Sequence, residues 1–390
     1  MKVLVPLMLA LALAGPAAPS LAASHHPAKA KPAAKAKAKS ASRAKAGKKA
    51  KAKAKAVAAA PARPRIDYEG EDIHFGQWQA VREFEDDMVA RHGYTREDLD
   101  AIVNQTRFID SAVELVKPAP PGKPKNWHAY SERFIEPIRI GAGVRFWNEN
   151  AELLARAEAA YGVPAEIIVG ILGIETIYGR DPGRFRIMDV LTTLAFAYPE
   201  APNRAERMDF FRSELENTLV LARQEGIDPF SLQGSFAGAV GMPQFMPGNI
   251  LKYGVDFDGD GRIDLRNSAA DAIGSVANFL VQHGWDRNNT GPAVFPADVA
   301  PSQAWQPLLG GLEARYRADE LANAGVATRT PLPAERLYGL VDLQNGADPT
   351  EYWVANANFF AITKYNRSYF YAMSVIELGR AVRLVRDSGA

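Results

Sequence analysis

Cysteine is absent from all 390 residues. No disulfide and no thiolate metal site can hold this chain together, and no cysteine is there to carry a lipid anchor. Acidic residues are absent too, but only locally. Residues 1–65 hold fifteen of the 46 lysines and arginines and none of the 45 acidic residues. The rest therefore carries 31 basic against 45 acidic groups, a net charge of −14 beneath the overall +1. An acidic folded part excludes nucleic acid as the expected partner. Internal repeats are missing. The apolar run V-L-V-P-L-M-L-A-L-A-L-A after Lys2 is too short for a comfortable membrane span.

That run, with Lys2 before it and S-L-A-A after it, has the charge, length and cleavage chemistry of a signal peptide over residues 1–23. The mature chain is expected to be exported, soluble, free of any membrane anchor, and periplasmic. Residues 24–64 are Lys, Ala and Pro with few large apolar side chains, a disordered basic tether. A plain spacer is the first reading, and loose attraction to anionic envelope polymers is the second. Composition becomes globular near Asp67. The expected divisions are a helical region and core over 65–286, an inserted, partly β lobe over 287–344, and a return to the core over 345–390.

The helical region is expected to contain helices at Trp78–Val89, Thr95–Val116, Ala151–Tyr161, Met188–Tyr198 and Phe211–Glu225, with a capping box at Thr95 and Asp98. Leu337–Leu343 reads as a strand. The segment V-P-A-E-I-I-V-G-I-L-G-I-E-T-I-Y-G-R, Val163 to Arg180, reads as a buried helix from Pro164 to Gly179. Glu175 is its polar exception, stacked on Ile171 and Leu172. Desolvation raises such a pKa, leaving a proton that suits protonation of a glycosidic oxygen. A buried Glu ion-paired with Arg180 or Arg184 fits the same pattern, and the stretch alone leaves both readings open.

Three further stretches carry chemistry. S-F-A-G-A-V-G-M-P-Q-F-M-P, from Ser235 to Pro247, is a Gly/Pro-rich turn offering the Gln244 amide. D-F-D-G-D-G-R-I-D, Asp256 to Asp264, has Asp at loop positions 1, 3 and 5 and Gly at 6, the pattern of an EF-hand calcium loop. Position 12 is Asn267 instead of Glu, and the next carboxylate is Asp271. Tyr365, Asn366, Tyr369 and Tyr371 gather aromatic faces and an amide before a final helix, a mixture suited to sugar rings and equally to core packing.

Together these stretches, in this order between Trp127 and Gly379, resemble the lytic murein transglycosylase B family. The resemblance implies a mainly α (α+β) fold with a lysozyme-like core, a flanking helical region, a small β insertion and an EF-hand-like loop. It makes Glu175 the sole catalytic acid/base, with Ser235 and Gln244 lining the cleft. Tyr365, Asn366 and Tyr371 would bind glycan near Glu175, Tyr130 would be an upstream subsite aromatic, and Arg204 a cleft arginine. Asp256, Asp258, Asp260 and Asp271, with the carbonyl of Arg262, would hold a structural Ca2+. No cofactor is expected in the chemistry. The implied reaction cuts the β-1,4 bond between N-acetylmuramic acid and N-acetylglucosamine in peptidoglycan, leaving 1,6-anhydro ends. Alternatives are a hydrolytic muramidase and a non-catalytic, calcium-stabilised peptidoglycan-binding protein. A recruiting partner would come from the proteins of cell-wall synthesis or division.

Overall fold

The computed structural model describes residues 73–118 and 124–389. The expected signal peptide and the expected basic tether lie outside the described residues. The helices are α1 (Gln79–His92), α2 (Arg96–Gln105), α3 (Asp110–Leu115), α4 (Trp127–Ser131), α5 (Pro137–Glu149), α6 (Ala151–Tyr161) and α7 (Ala165–Thr176). They continue with α8 (Ile187–Ala197), α9 (Arg204–Glu225), α10 (Pro247–Tyr253), α11 (Ala269–Gln282), α12 (Ala318–Asn323), α13 (Ala357–Ile362) and α14 (Tyr369–Asp387). A two-residue pairing of β1 (Phe185–Arg186) with β2 (Gln233–Gly234) closes the loop after α7.

The helix read over Thr95–Val116 is two helices. Thr95 does cap the first, accepting from the Asp98 N–H. Between α2 and α3, however, the Arg107 N–H donates to Asp189 and the Ile109 N–H to the Thr193 hydroxyl, both on α8. Side chains distant in sequence thus supply partners that a continuous helix would have found internally. The helix expected from Phe211 begins earlier, at Arg204.

The core is built around α7 and α14, which run against each other with almost no gap. A Cβ on Gly170 would lie 2.2 Å from the Val375 carbonyl oxygen, and one on Gly379 would lie 2.2 Å from that of Glu166. Only glycine permits this approach. The same antiparallel register brings the last turn of α7 against the first turn of α14.

The inserted lobe is a four-stranded antiparallel sheet of β3 (Val294–Val299), β4 (Val326–Thr328), β5 (Tyr338–Asn345) and β6 (Asp348–Asn356), in the order β4-β3-β6-β5. It therefore extends beyond the expected boundary at residue 344, because β6 supplies the partner of both β3 and β5. Strand alternation explains its two buried faces. Phe295, Tyr338, Leu340 and Val354 pack with Trp305 and Leu321 in a small separate core, while Val294, Val341, Leu343 and Ala355 face the main one.

Candidate active site

Pro164 proves to be the N-cap of α7, and the helix stops at Thr176, before the expected Gly179. Ile177 and Tyr178 take left-handed backbone angles, φ 53° and 57°. A β-branched residue adopts that region only when its surroundings impose it. They do so here. The Thr176 hydroxyl donates to the Met242 carbonyl at 2.8 Å and accepts from the Gly179 N–H at 2.9 Å. The buried Arg139 guanidinium donates to the Gly173 carbonyl at 2.9 Å. The C-terminus of α7 is thereby fixed just beyond Glu175.

Glu175 retains a little exposed surface, yet protein surrounds its carboxyl closely. Burial raises its pKa to about 7, against a smaller opposing pull from the Tyr371 hydrogen bond. The Tyr371 hydroxyl donates that bond to Oε1 at 2.6 Å. Neither Arg180 nor Arg184 is among the influences on this carboxyl, and neither is any other charged group among the described residues. The ion-pair reading of Glu175 is therefore not supported by its surroundings.

Three tyrosines surround the acid. Tyr371 is fully buried and stacks on Tyr365 at 6.2 Å between ring centres, with the planes 16° apart. The Tyr365 hydroxyl donates to the Pro243 carbonyl at 2.5 Å. Tyr130, on α4, packs against Phe370 at 5.4 Å and Phe134 at 5.2 Å. Burial, then the nearby Glu175 charge, holds all three phenols above their ordinary pKa. They remain neutral donors.

The Ser235–Pro247 turn approaches from the other side of the chain's sequence. The buried Ser235 hydroxyl accepts from the Ala239 N–H at 2.9 Å and the Ala237 N–H at 3.3 Å, bracing the turn. Gln244, at φ 52°, donates its amide to the Pro182 and Gly241 carbonyls at 3.1 and 2.9 Å. A cavity of about 310 Å3 is lined by Gln244, Tyr365 and Asn366, together with Phe210, Asn249 and His283. The last three were not anticipated, because they lie on α9, α10 and the end of α11 outside any motif. Arg204 makes none of the contacts that join this cluster. It opens α9, donating to the Tyr198 carbonyl at 2.7 Å with Glu200 at 3.5 Å.

In the acidic loop, Asp256, Asp258 and Asp260 each place one carboxylate oxygen within 4.8 Å of the others. Gly259 and Gly261, at φ 80° and 90°, make the turn. The backbone N–H of Gly261, first among several such donors, holds the Asp256 carboxyl below its usual range. Three clustered hard oxygens suit Ca2+. Asp271, expected as the final ligand, does not join them. Its two oxygens accept from the Phe257 and Asp264 N–H groups at 2.8 Å each, tying the loop to α11. Arg262 contributes its own N–H to Asp260, at 2.9 Å.

Residues 76–380 match the family described as Transglycosylase SLT domain. The chain is 43% identical over 315 residues to membrane-bound lytic murein transglycosylase B of Escherichia coli K12, covering 78% of this chain and 83% of that protein. The crystal structure of soluble lytic transglycosylase SltB1 from Pseudomonas aeruginosa is 42% identical, with TM-score 0.71, over 80% of this chain and all of that one. Escherichia coli lytic transglycosylase Slt35 in complex with calcium is 40% identical, with TM-score 0.71, over 82% of this chain and 96% of that one. By fold, by the order of its motifs and by these likenesses, the chain belongs to the Transglycosylase SLT domain family.

Proposed function

We propose that the protein is a peptidoglycan lytic transglycosylase whose single acid/base is Glu175. The observation that carries this reading is the Glu175 carboxyl itself, with a pKa near 7 and the Tyr371 hydroxyl on one oxygen. With Oε1 accepting from Tyr371, the transferable proton belongs on Oε2. That proton passes to the oxygen linking N-acetylmuramic acid to N-acetylglucosamine, and the C1–O bond breaks. The resulting carboxylate, stabilised by Tyr371, then takes the proton of the muramoyl C6 hydroxyl. The C6 oxygen bonds to C1 and closes a 1,6-anhydro ring. One proton enters the leaving sugar, one returns to Glu175, and no water is consumed. Among the described residues no other carboxyl group is an influence on Glu175, which fits a route without a second carboxylate, unlike the usual glycosidase pair.

Tyr365, Asn366 and Gln244 are read as the glycan-binding wall beside the acid, with Tyr130 as the aromatic of an upstream subsite. Ser235 holds its turn in place. Arg204 would act from the rim. Asp256, Asp258 and Asp260, with the Arg262 carbonyl, would hold Ca2+ as a structural ion, a role supported by the calcium complex of Slt35. The protein is read as exported to the periplasm, with glycan strands as substrate. Glu175→Gln keeps the shape and removes the proton, so sacculus solubilisation should drop at least ~100-fold. Mass spectrometry of the wild-type products should show ends lighter by one water than hydrolytic ends. Hydrated ends, or a Glu175→Gln protein within a few-fold of wild type, would overturn the reading.

A further inference from the structure

We infer that the cavity next to Tyr365 receives the acidic peptide stem of a muramoyl residue, with Lys364 and Arg367 as the groups that bind its free carboxylates. This rests on the reading of Glu175 given above. The cavity lies one ring away from the acid, since Tyr365 on its wall stacks on Tyr371, which is bonded to Glu175. Sugar rings are neutral and are satisfied by aromatic faces and amides, which Tyr365, Gln244 and Asn366 already provide. Muramic acid differs from its partner sugar in carrying, through a lactyl ether, a peptide with free carboxylates. A glycan site beside that sugar has a use for cations that a purely neutral site lacks.

The lining has that character. Its two exposed charged residues, Lys364 and Arg367, are both cations. Among the described residues the Arg367 side chain makes no hydrogen bond or ion pair, and the Lys364 ammonium donates once, to the Leu312 carbonyl at 3.4 Å. The one carboxyl on the lining, Glu214, is buried and turned to the Gly248 N–H at 2.7 Å. Burial raises its pKa against the opposing pull of the Gly248 N–H. His283 is held by stacking on Phe279 at 3.9 Å, with Nδ1 donating to the Phe279 carbonyl at 2.7 Å. Its other nitrogen makes no bond to the described residues. A guanidinium without an internal partner matches a carboxylate in fork geometry, and about 310 Å3 is room for a short peptide segment.

Binding by the Glu175→Gln protein tests this without turnover. Its Kd would be measured for glycan strands bearing their stems and for the same strands stripped by an amidase. Stem-bearing strands should bind about fivefold to tenfold more tightly, the scale of one or two charge-assisted contacts, and the difference should shrink with added salt. Lys364→Ala with Arg367→Ala should erase the preference while Arg367→Lys keeps part of it. Both side chains are exposed, so unchanged thermal melts should accompany the loss. A stem preference that survives the double substitution, or no preference at all, would overturn the inference. The product assay on wild type judges the Glu175 chemistry separately, because binding to stems does not require anhydro ends to form.

Discussion

A carboxyl group enclosed like that of Glu175 leaves a mark on stability as well as on catalysis. Its folded-state pKa of about 7 lies above the ordinary 4.5. Between those values the unfolded chain releases a proton that the folded chain keeps, so stability falls as pH rises through this window and levels off above it. At pH 8 the buried carboxylate costs the fold on the order of 3 kcal/mol. Glu175→Gln should therefore melt at a higher temperature than wild type at pH 8 and at nearly the same temperature at pH 4. Thermal melts across that range check the sign. Equal melting at both pH values would mean that the carboxyl is solvated. The apolar stripe beneath Glu175 was legible in the sequence, since Ile171 and Leu172 stack on it by helical spacing. Its hydrogen-bond partner was legible only as a member of an aromatic cluster, because 196 residues separate Glu175 from Tyr371.

The contact between α7 and α14 sets the distance from acid to tyrosine, and glycine sets the contact. Gly170→Ala would drive a methyl group into the Val375 carbonyl, 2.2 Å away. A destabilisation of about 2–3 kcal/mol is expected, the scale of overpacking in a closed core. Denaturant unfolding measures it directly, and activity should fall further than folding alone explains because the Glu175–Tyr371 bond depends on the same spacing. The Asp256–Asp264 loop makes a different prediction. A ligand bound only by the native state stabilises it, so millimolar calcium should raise Tm, and Asp258→Ala should abolish that rise. Turnover well below the transition should change less than Tm. No shift and no bound ion by calorimetry would leave the loop an acidic turn. Helix positions were readable here wherever the chain supplies its own partners, as at Thr95. They were misread where another element supplies them, as at Arg107 and Ile109 with α8 and at Ile177 with Arg139 and Met242.

Across the whole chain, charge and composition divide a basic stretch over residues 1–65 from an acidic remainder. If export follows the reading of residues 1–23, the mature protein begins near Ala23 or Ser24 and is recovered from the periplasm without detergent. Mass spectrometry of that fraction checks it, and an intact Met1 or a lipid adduct would refute it. What the sequence by itself determined were the properties carried by neighbouring residues: the buried helix around Glu175, the alternating aspartates of the loop, and the order of motifs that marks the family. The tertiary structure alone decided which of those pieces meet. Packing at Gly170 and Gly379 brings Tyr371 to Glu175, and β6 completes the lobe beyond residue 344. Asp271 turns to backbone N–H groups instead of the aspartate trio. Spacing along a chain fixes which face a side chain occupies, whereas its partner across a core depends on close approach between elements that no local pattern encodes.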